Sequence, residues 1–139
     1  MADATTYEDV PLAAEQVWDV IGDFGAIRKW ATVVQEERLE EDATPRKLRF
    51  LTMADGNVVK EALVVSSQFS YTYTMVDHPT MKDYRSTIAV IPLDETNCRI
   101  ELVVHVGASE GQTDEELTDR YTRFVRGNLR AMKKALGLA

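Results

Sequence analysis

A single cysteine, Cys98, leaves the chain without an internal disulfide, and with no second cysteine or clustered histidine beside it there is no metal motif either. Basic residues are in deficit. The 16 Lys and Arg face 23 Asp and Glu, a formal charge of −7 with a pI near 4.8, and this argues against a phosphate-backbone partner. Nucleic acid is therefore not an expected partner. No eighteen apolar residues follow one another, so no membrane span is expected. Residues Met1 to Thr6 have neither a basic start nor an apolar run, which leads to the expectation of a soluble, cytoplasmic protein without a signal peptide. The seven glycines are scattered, and none forms a GxGxxG or GxxxxGK phosphate loop. The two histidines, His78 in a turn and His105 on an outward strand face, are kept apart, so neither a Ser-His-Asp triad nor a two-histidine metal site is expected. No metal and no other cofactor are expected.

What is present is 139 residues, 45% of them hydrophobic, enough for one domain (1–139) with a core and a modest cavity. The stretch from Thr113 to Gly137 dominates. Leu117, Tyr121, Phe124, Val125, Leu129, Met132 and Leu136 trace one stripe of an α-helix. Thr113 and Glu116 make a capping box, Asp114 to Glu116 suit the positive end of the helix dipole, and Lys133 and Lys134 suit the negative end. Gly137 stops the helix. At about 24 residues, roughly 36 Å, it needs a large surface to cover it.

The rest of the chain supplies that surface. Tyr7 to Val10 reads as a short strand ended by Pro11, Leu12 to Ile21 as a helix closed by Gly22, and Ala26 to Trp30 as a second short helix. From Val33 the pattern changes to period two, broken at Asp42-Ala43-Thr44-Pro45, Asp55-Gly56, Ser66-Ser67, Asp77-His78-Pro79 and Asp94-Glu95-Thr96-Asn97. These breaks delimit six antiparallel strands, near 33–41, 47–53, 57–65, 69–76, 83–91 and 97–106. Asp55-Gly56 predicts a type I′ hairpin turn.

Alternation assigns the faces. Ile100, Leu102, Val104 and Val106 face the long helix, with Arg99, Glu101 and His105 outside. The same test points inward Val59, Glu61, Leu63 and Val65; Phe69, Tyr71, Tyr73 and Met75; Tyr84, Ser86, Ile88 and Val90; and Arg49, Leu51 and Met53.

Val10-Pro11-Leu12-Ala13-Ala14-Glu15-Gln16-Val17-Trp18, followed by Gly22-Asp23-Phe24 and Trp30, resembles the N-terminal signature of the START-like (SRPBCC, Bet v 1-like) superfamily. More narrowly, the chain resembles its polyketide cyclase/dehydrase and lipid-transport-like branch, with further matches at Arg49 to Gly56, Glu61, Tyr71, Pro79 and Tyr84 to Thr87. Two features depart from that pattern. A proline often found after the tryptophan is absent in Trp30-Ala31-Thr32-Val33, and Ser66-Ser67 replaces acidic residues near the end of the fourth strand. The resemblance implies an α+β helix-grip fold, a seven-stranded antiparallel sheet wrapped around the long C-terminal helix, with two short helices after the first strand. Because that scaffold hosts carriers, cyclases, dehydratases, allergens and co-chaperones, it constrains function less than fold.

Glu61 is the most informative residue for chemistry. An inward carboxylate costs several kcal/mol unless it is paired. Counting outward from Asp55-Gly56 places position 49 opposite about 62, so Arg49 is a neighbour of Glu61 within side-chain reach. Two readings stay open: a structural ion pair under a cavity, or a catalytic pair in which Arg49 binds a carbonyl or enolate oxygen and Glu61 moves a proton. The resemblance supports a cavity arginine, as in aromatase/cyclase relatives. Tyr71, a further catalytic candidate, joins Tyr73, Tyr84 and Tyr121 in an aromatic wall with hydroxyl tips. Leu63, Met75, Ser86, Leu117, Phe124 and Asn128 complete the expected ligand-binding set, with Trp30 near the entrance beside the His78-Pro79 loop. The expected partner is a hydrophobic small molecule, such as a polyketide, lipid or aromatic metabolite, bound by a monomer or homodimer. The alternatives are a cofactor-independent cyclase or dehydratase using Glu61 or a tyrosine with Arg49, and an interaction module, against which the polar outer face of the last strand speaks.

Overall fold

A computed structural model describes residues 1–41 and 47–138, so the expected break at Asp42-Ala43-Thr44-Pro45 lies outside the described residues. The chain runs β1 (Ala2–Val10), α1 (Ala14–Ile21), a 3-10 turn (Ile27–Lys29), β2 (Val34–Glu41), β3 (Lys47–Met53), β4 (Val58–Ser67) and β5 (Ser70–Met75). It continues through β6 (Met81–Lys82), β7 (Arg85–Pro92), β8 (Cys98–Val106), β9 (Ala108–Ser109) and α2 (Asp114–Ala135). Seven strands form one antiparallel sheet in the order β1-β8-β7-β5-β4-β3-β2, while β6 and β9 pair separately. With α2 packed on β1 and β8, this is the α+β helix-grip arrangement.

The helix α2 follows its sequence signals closely. The Thr113 side chain accepts a hydrogen bond from the Glu116 N–H at 3.1 Å, the Glu116 carboxylate accepts one from the Thr113 N–H at 3.1 Å, and Gly137 takes the left-handed conformation just past the end. Leu117, Tyr121, Val125, Leu129 and Met132 are buried. Phe124 departs from the expected apolar stripe, being 39% exposed at its edge.

Five local expectations need correction. The first strand begins at Ala2 instead of Tyr7, pairing with β8 from Ala2–Val106 to Val10–Cys98. Ala2 and Ala4 are buried in the core, and side chains this small give only a weak period-two signal. Two short strands, β6 and β9, also escaped detection, because pairs of residues carry no periodicity.

Gly22 does end α1, but with φ −94° it is no left-handed cap. Its lack of a side chain makes room for Trp18, whose indole lies where a Cβ would be, 2.2 Å away.

The hairpin between β3 and β4 is one residue longer than a type I′ turn. The Gly56 N–H donates to the Met53 carbonyl and the Met53 N–H to the Asn57 carbonyl, and only Gly56 of the Asp55-Gly56 pair has a positive φ, 87°. The loop is therefore Ala54-Asp55-Gly56, a three-residue hairpin with its glycine in the left-handed position.

Finally, β4 runs through Ser66-Ser67, which was expected to be a turn, and a register shift separates Leu63 from Val65. An extra residue flips the faces beyond it. Val65, expected inside, is 59% exposed, and Ser66 stands opposite Tyr71 in its place.

Candidate functional site

The three-residue hairpin sets the chemistry of the interior. It pairs Arg49 directly with Glu61 rather than with residue 62, and directly opposed residues share a face of the sheet. The Arg49 Nε–H donates to Glu61 Oε1 at 2.8 Å. Both residues are buried, Arg49 at 1% and Glu61 at 5% exposure. Arg49 Nη1 donates to the Phe24 carbonyl at 3.2 Å and to the Tyr71 hydroxyl at 3.4 Å. The guanidinium also lies over the rings of Phe24, at 4.3 Å, and Tyr73, at 4.5 Å. It is sealed in aromatic surface, and its Nη2 has no hydrogen-bond partner among the described residues.

Charge in this site is carried unequally. Burial works against the Arg49 cation, but the Glu61 carboxylate, followed by Tyr71 and Tyr73, outweighs it and raises its pKa. Burial raises the Glu61 carboxyl above its ordinary range, with Arg49 pulling the other way. A guanidinium does not deprotonate in a protein, so Glu61 is the member of the pair that titrates. Burial also raises Tyr71, Tyr73 and Tyr84. These phenols stay neutral near pH 7; the Tyr71 hydroxyl accepts from Arg49, and the buried Tyr84 hydroxyl has no partner among the described residues.

Against Glu61 lies an inner cavity of about 120 Å³ under α2. Its walls include six of the expected site residues: Trp30, Glu61, Tyr73, Met75, Phe124 and Asn128, with Leu51, Val59 and Ala31 among the apolar remainder. Two larger clefts flank it, and it is itself half open to solvent, as they are. One, of about 450 Å³ on the α1 side, takes in Leu63, Tyr71, Trp18 and Ser66. The other, of about 650 Å³, runs along His78, Pro79, Met81, Arg120 and Tyr121 and shares Val59 and Met75 with the inner cavity. The inner cavity is the smallest of the three, yet it concentrates the expected residues and borders the buried ion pair.

Other expected residues stand elsewhere. Arg49 lies behind Glu61 and lines none of these spaces. Tyr84, Ser86 and Leu117 are packed in the core, Ser86 directly opposite Tyr73. Trp30 is 3% exposed and belongs to the inner cavity, whereas His78 and Pro79 border the outer cleft, so it is not beside them as expected. His78 Nδ1 accepts from the Thr80 and Met81 N–H groups at 3.2 and 3.0 Å, a turn-stabilising arrangement, and His105 pairs with Asp3 on the outer face. Among the described residues, no three His, Cys, Asp or Glu side chains could together hold a metal ion, and no helix is long and apolar enough to cross a membrane.

Sequence reasoning missed Phe24, which contributes both a carbonyl and a ring to Arg49, and Ser66, Ile27 and Ala31 as lining residues. Phe24, Ile27 and Ala31 lie in the loop and 3-10 segment after α1, where no periodicity marks which side chains turn inward. Ser66 depends on the bulge.

None of the curated proteins matches the chain. Among solved structures, the protein XoxI from Bacillus cereus superposes with a TM-score of 0.83 at 26% identity, over 98% of this chain and 96% of its own. A START superfamily protein from Mycobacterium smegmatis gives a TM-score of 0.71 at 14% identity, covering 98% of this chain and 94% of that one. The Zhui aromatase/cyclase of a Streptomyces species gives 0.71 at 14% identity, over 96% and 90%. The last two likenesses, at such low identity, speak to the fold alone. The sequence itself fits the family model described as polyketide cyclase / dehydrase and lipid transport over residues 1–137, and to that family the chain belongs.

Proposed function

We propose that the protein encloses a hydrophobic small molecule in the inner cavity between the sheet and α2. The observation that carries this reading is the composition of that space: apolar walls from Leu51, Val59, Met75 and Phe124, relieved by a few polar groups at Glu61, Trp30 and Asn128. That is the usual make-up of a small-molecule site. Family membership supports it. Met75 and Val59 line both the cavity and the outer cleft, and a methionine there can change rotamer readily to let a ligand pass. Cytoplasmic location and a monomeric or dimeric state belong to the same proposal, and the buried free thiol of Cys98 fits a reducing compartment.

A second reading, a cofactor-independent cyclase or dehydratase, is favoured by one observation. Glu61 is buried with a raised pKa and also borders the cavity, as a general acid or base must. In this version Glu61 moves the proton, Arg49 positions and charges it from behind, and Tyr71 braces Arg49.

Native mass spectrometry of the protein purified from its own cell extract tests both. A ligand released unchanged favours the carrier, and conversion on incubation favours the enzyme. Ala31→Leu, which fills the cavity, is expected to abolish ligand retention while the circular dichroism spectrum is unchanged. Retention by that variant would remove the inner cavity from consideration. Glu61→Gln separates the readings, since it should stop turnover in an enzyme and leave retention in a carrier.

A further inference from the structure

The chain has a formal charge of −7, yet the solvent side of α2 is basic. Beyond the acidic first turn, Asp119 stands alone against Arg120, Arg123, Arg126, Arg130, Lys133 and Lys134. Lys133 reaches Glu8 on β1, and Arg120 donates to Gln112. Arg123, Arg126, Arg130 and Lys134 are all exposed. Among the described residues none of these four has a carboxylate within ion-pair distance. Steps of three, four and four put them on one face, away from the buried Leu117, Tyr121, Val125, Leu129 and Met132. The helix dipole accounts for cations in the last turn but not for arginines further in, where its effect has faded.

The row is also level. Gly127 offers no side chain, and the Arg130 guanidinium folds back over it, Nη2 lying 3.7 Å from where a Cβ of residue 127 would be. From Arg123 to Lys134 the row runs about 17 Å at 1.5 Å per residue. Toward the cavity, next to Arg123, Phe124 is 39% exposed, and Val33 is 58% exposed. Both line the half-open inner cavity. A nucleic acid backbone would take up the cations and leave this apolar rim in water. A lipid surface satisfies both, phosphates meeting the arginines and the acyl boundary meeting the rim.

We infer that the basic face of α2 docks the protein on an anionic lipid bilayer, with Phe124 and Val33 turned toward the acyl boundary. Resting on the small-molecule reading above, this places the mouth of the cavity where a hydrophobic molecule can pass from membrane to protein without crossing water. The overall negative charge does not oppose it. At physiological salt, charges further than about 8 Å from the surface are screened, so the bilayer responds to the face that touches it.

Flotation of the full chain tests this with two kinds of vesicle, phosphatidylcholine alone and phosphatidylcholine with an equal part of phosphatidylglycerol, at about 0.15 M salt. The protein is expected to float with the mixed vesicles and stay behind with the neutral ones. Each basic residue near an anionic surface contributes roughly fivefold, so Arg123→Gln with Arg130→Gln should weaken binding roughly 25-fold. Arg85→Gln with Arg99→Gln makes the same change in net charge on the outer face of the sheet, where Arg85 opposes His105 and Arg99 pairs with Asp9, and should weaken it less than about 2-fold. Phe124→Ser removes part of the rim and should weaken it by roughly threefold or more. Glutamine keeps the helix propensity of arginine, and circular dichroism checks that each variant is folded.

No flotation with the mixed vesicles overturns the inference, as does equal flotation with both kinds. Equal weakening by the two arginine pairs, or unchanged binding in Phe124→Ser, overturns it too. Release from the vesicles by a short DNA duplex would assign the face to nucleic acid instead. Vesicle binding is measured without cargo, so each of these failures leaves the cavity reading standing, and loss of that reading through ligand retention leaves the docking result as measured.

Discussion

Arg49 and Glu61 face each other as direct partners across β3 and β4 because the hairpin joining them holds three residues. With a two-residue turn, Arg49 would oppose residue 62, and a one-residue slip in register sends alternate side chains to the other face. The loop length thus decides whether the interior contains a neutralised ion pair or a lone charge.

That pair should respond asymmetrically to being broken. Glu61→Ala strands a buried guanidinium that cannot discharge, at a cost of about 3–5 kcal/mol. Arg49→Met leaves a carboxyl that can take up a proton, and should cost less, about 1–3 kcal/mol. The double variant Arg49→Met, Glu61→Leu is expected to recover to within about 1 kcal/mol of the wild type. Urea unfolding of the three variants checks the order, and equal losses in both single variants would contradict it.

The pH dependence follows from the sign of the Glu61 shift. Burial raises its folded-state pKa above the ordinary value of about 4.3, so the folded chain holds this proton more tightly than the unfolded one. Its contribution is most favourable below the ordinary value and is lost as pH rises through the folded-state pKa. Arg49→Met removes the opposing pull and carries that window to higher pH. Unfolding free energies measured from about pH 4 to about pH 8 should show the deficit of Arg49→Met growing with pH, and a constant deficit would refute the assignment.

At the end of α1, Gly22→Ala would set a Cβ within 2.2 Å of the Trp18 indole. The ring must shift, together with its edge-on contacts to Phe69 and Tyr71 at 6.4 and 6.1 Å. A loss of about 1–3 kcal/mol is expected, seen as a lower melting temperature with altered near-ultraviolet dichroism from Trp18. An unchanged melting temperature would show that the packing is looser than described.

Beyond the bulge in β4, Val65 is outside and Leu63 inside. Val65→Thr should change stability by no more than about 0.5 kcal/mol, while Leu63→Ala should cost about 1–2 kcal/mol. A loss at Val65→Thr comparable to that at Leu63→Ala in chemical denaturation would restore the unbroken alternation.

Much of the fold could be read in the residues, because period two from Val33 and the helical stripe of α2 are long-range repeats that no single residue can spoil. Arg49, Glu61 and the tyrosines were legible as inward-facing for the same reason. What escaped depended on one-residue events: the extra loop residue at Ala54 to Gly56, the bulge that exposed Val65 and admitted Ser66, and the loop turning Phe24 onto Arg49. Periodicity averages over such insertions. The burial of Trp30 depends on the 3-10 turn, whose three residues are too few to show a face.

The pairing of β1 with β8 joins residues 2–10 to residues 98–106, and α2 packs on both. During synthesis the first strand waits without its partner until residues 98–106 have been produced. Closure of such a distant pair is a slow step in folding, and until then the Ala2 and Ala4 face and the interior of the meander stay uncovered. The strand made first is therefore one that waits longest for its partner. A ribosome stalled before β8 would hold a nascent sheet with an open edge, a form prone to pair with other chains.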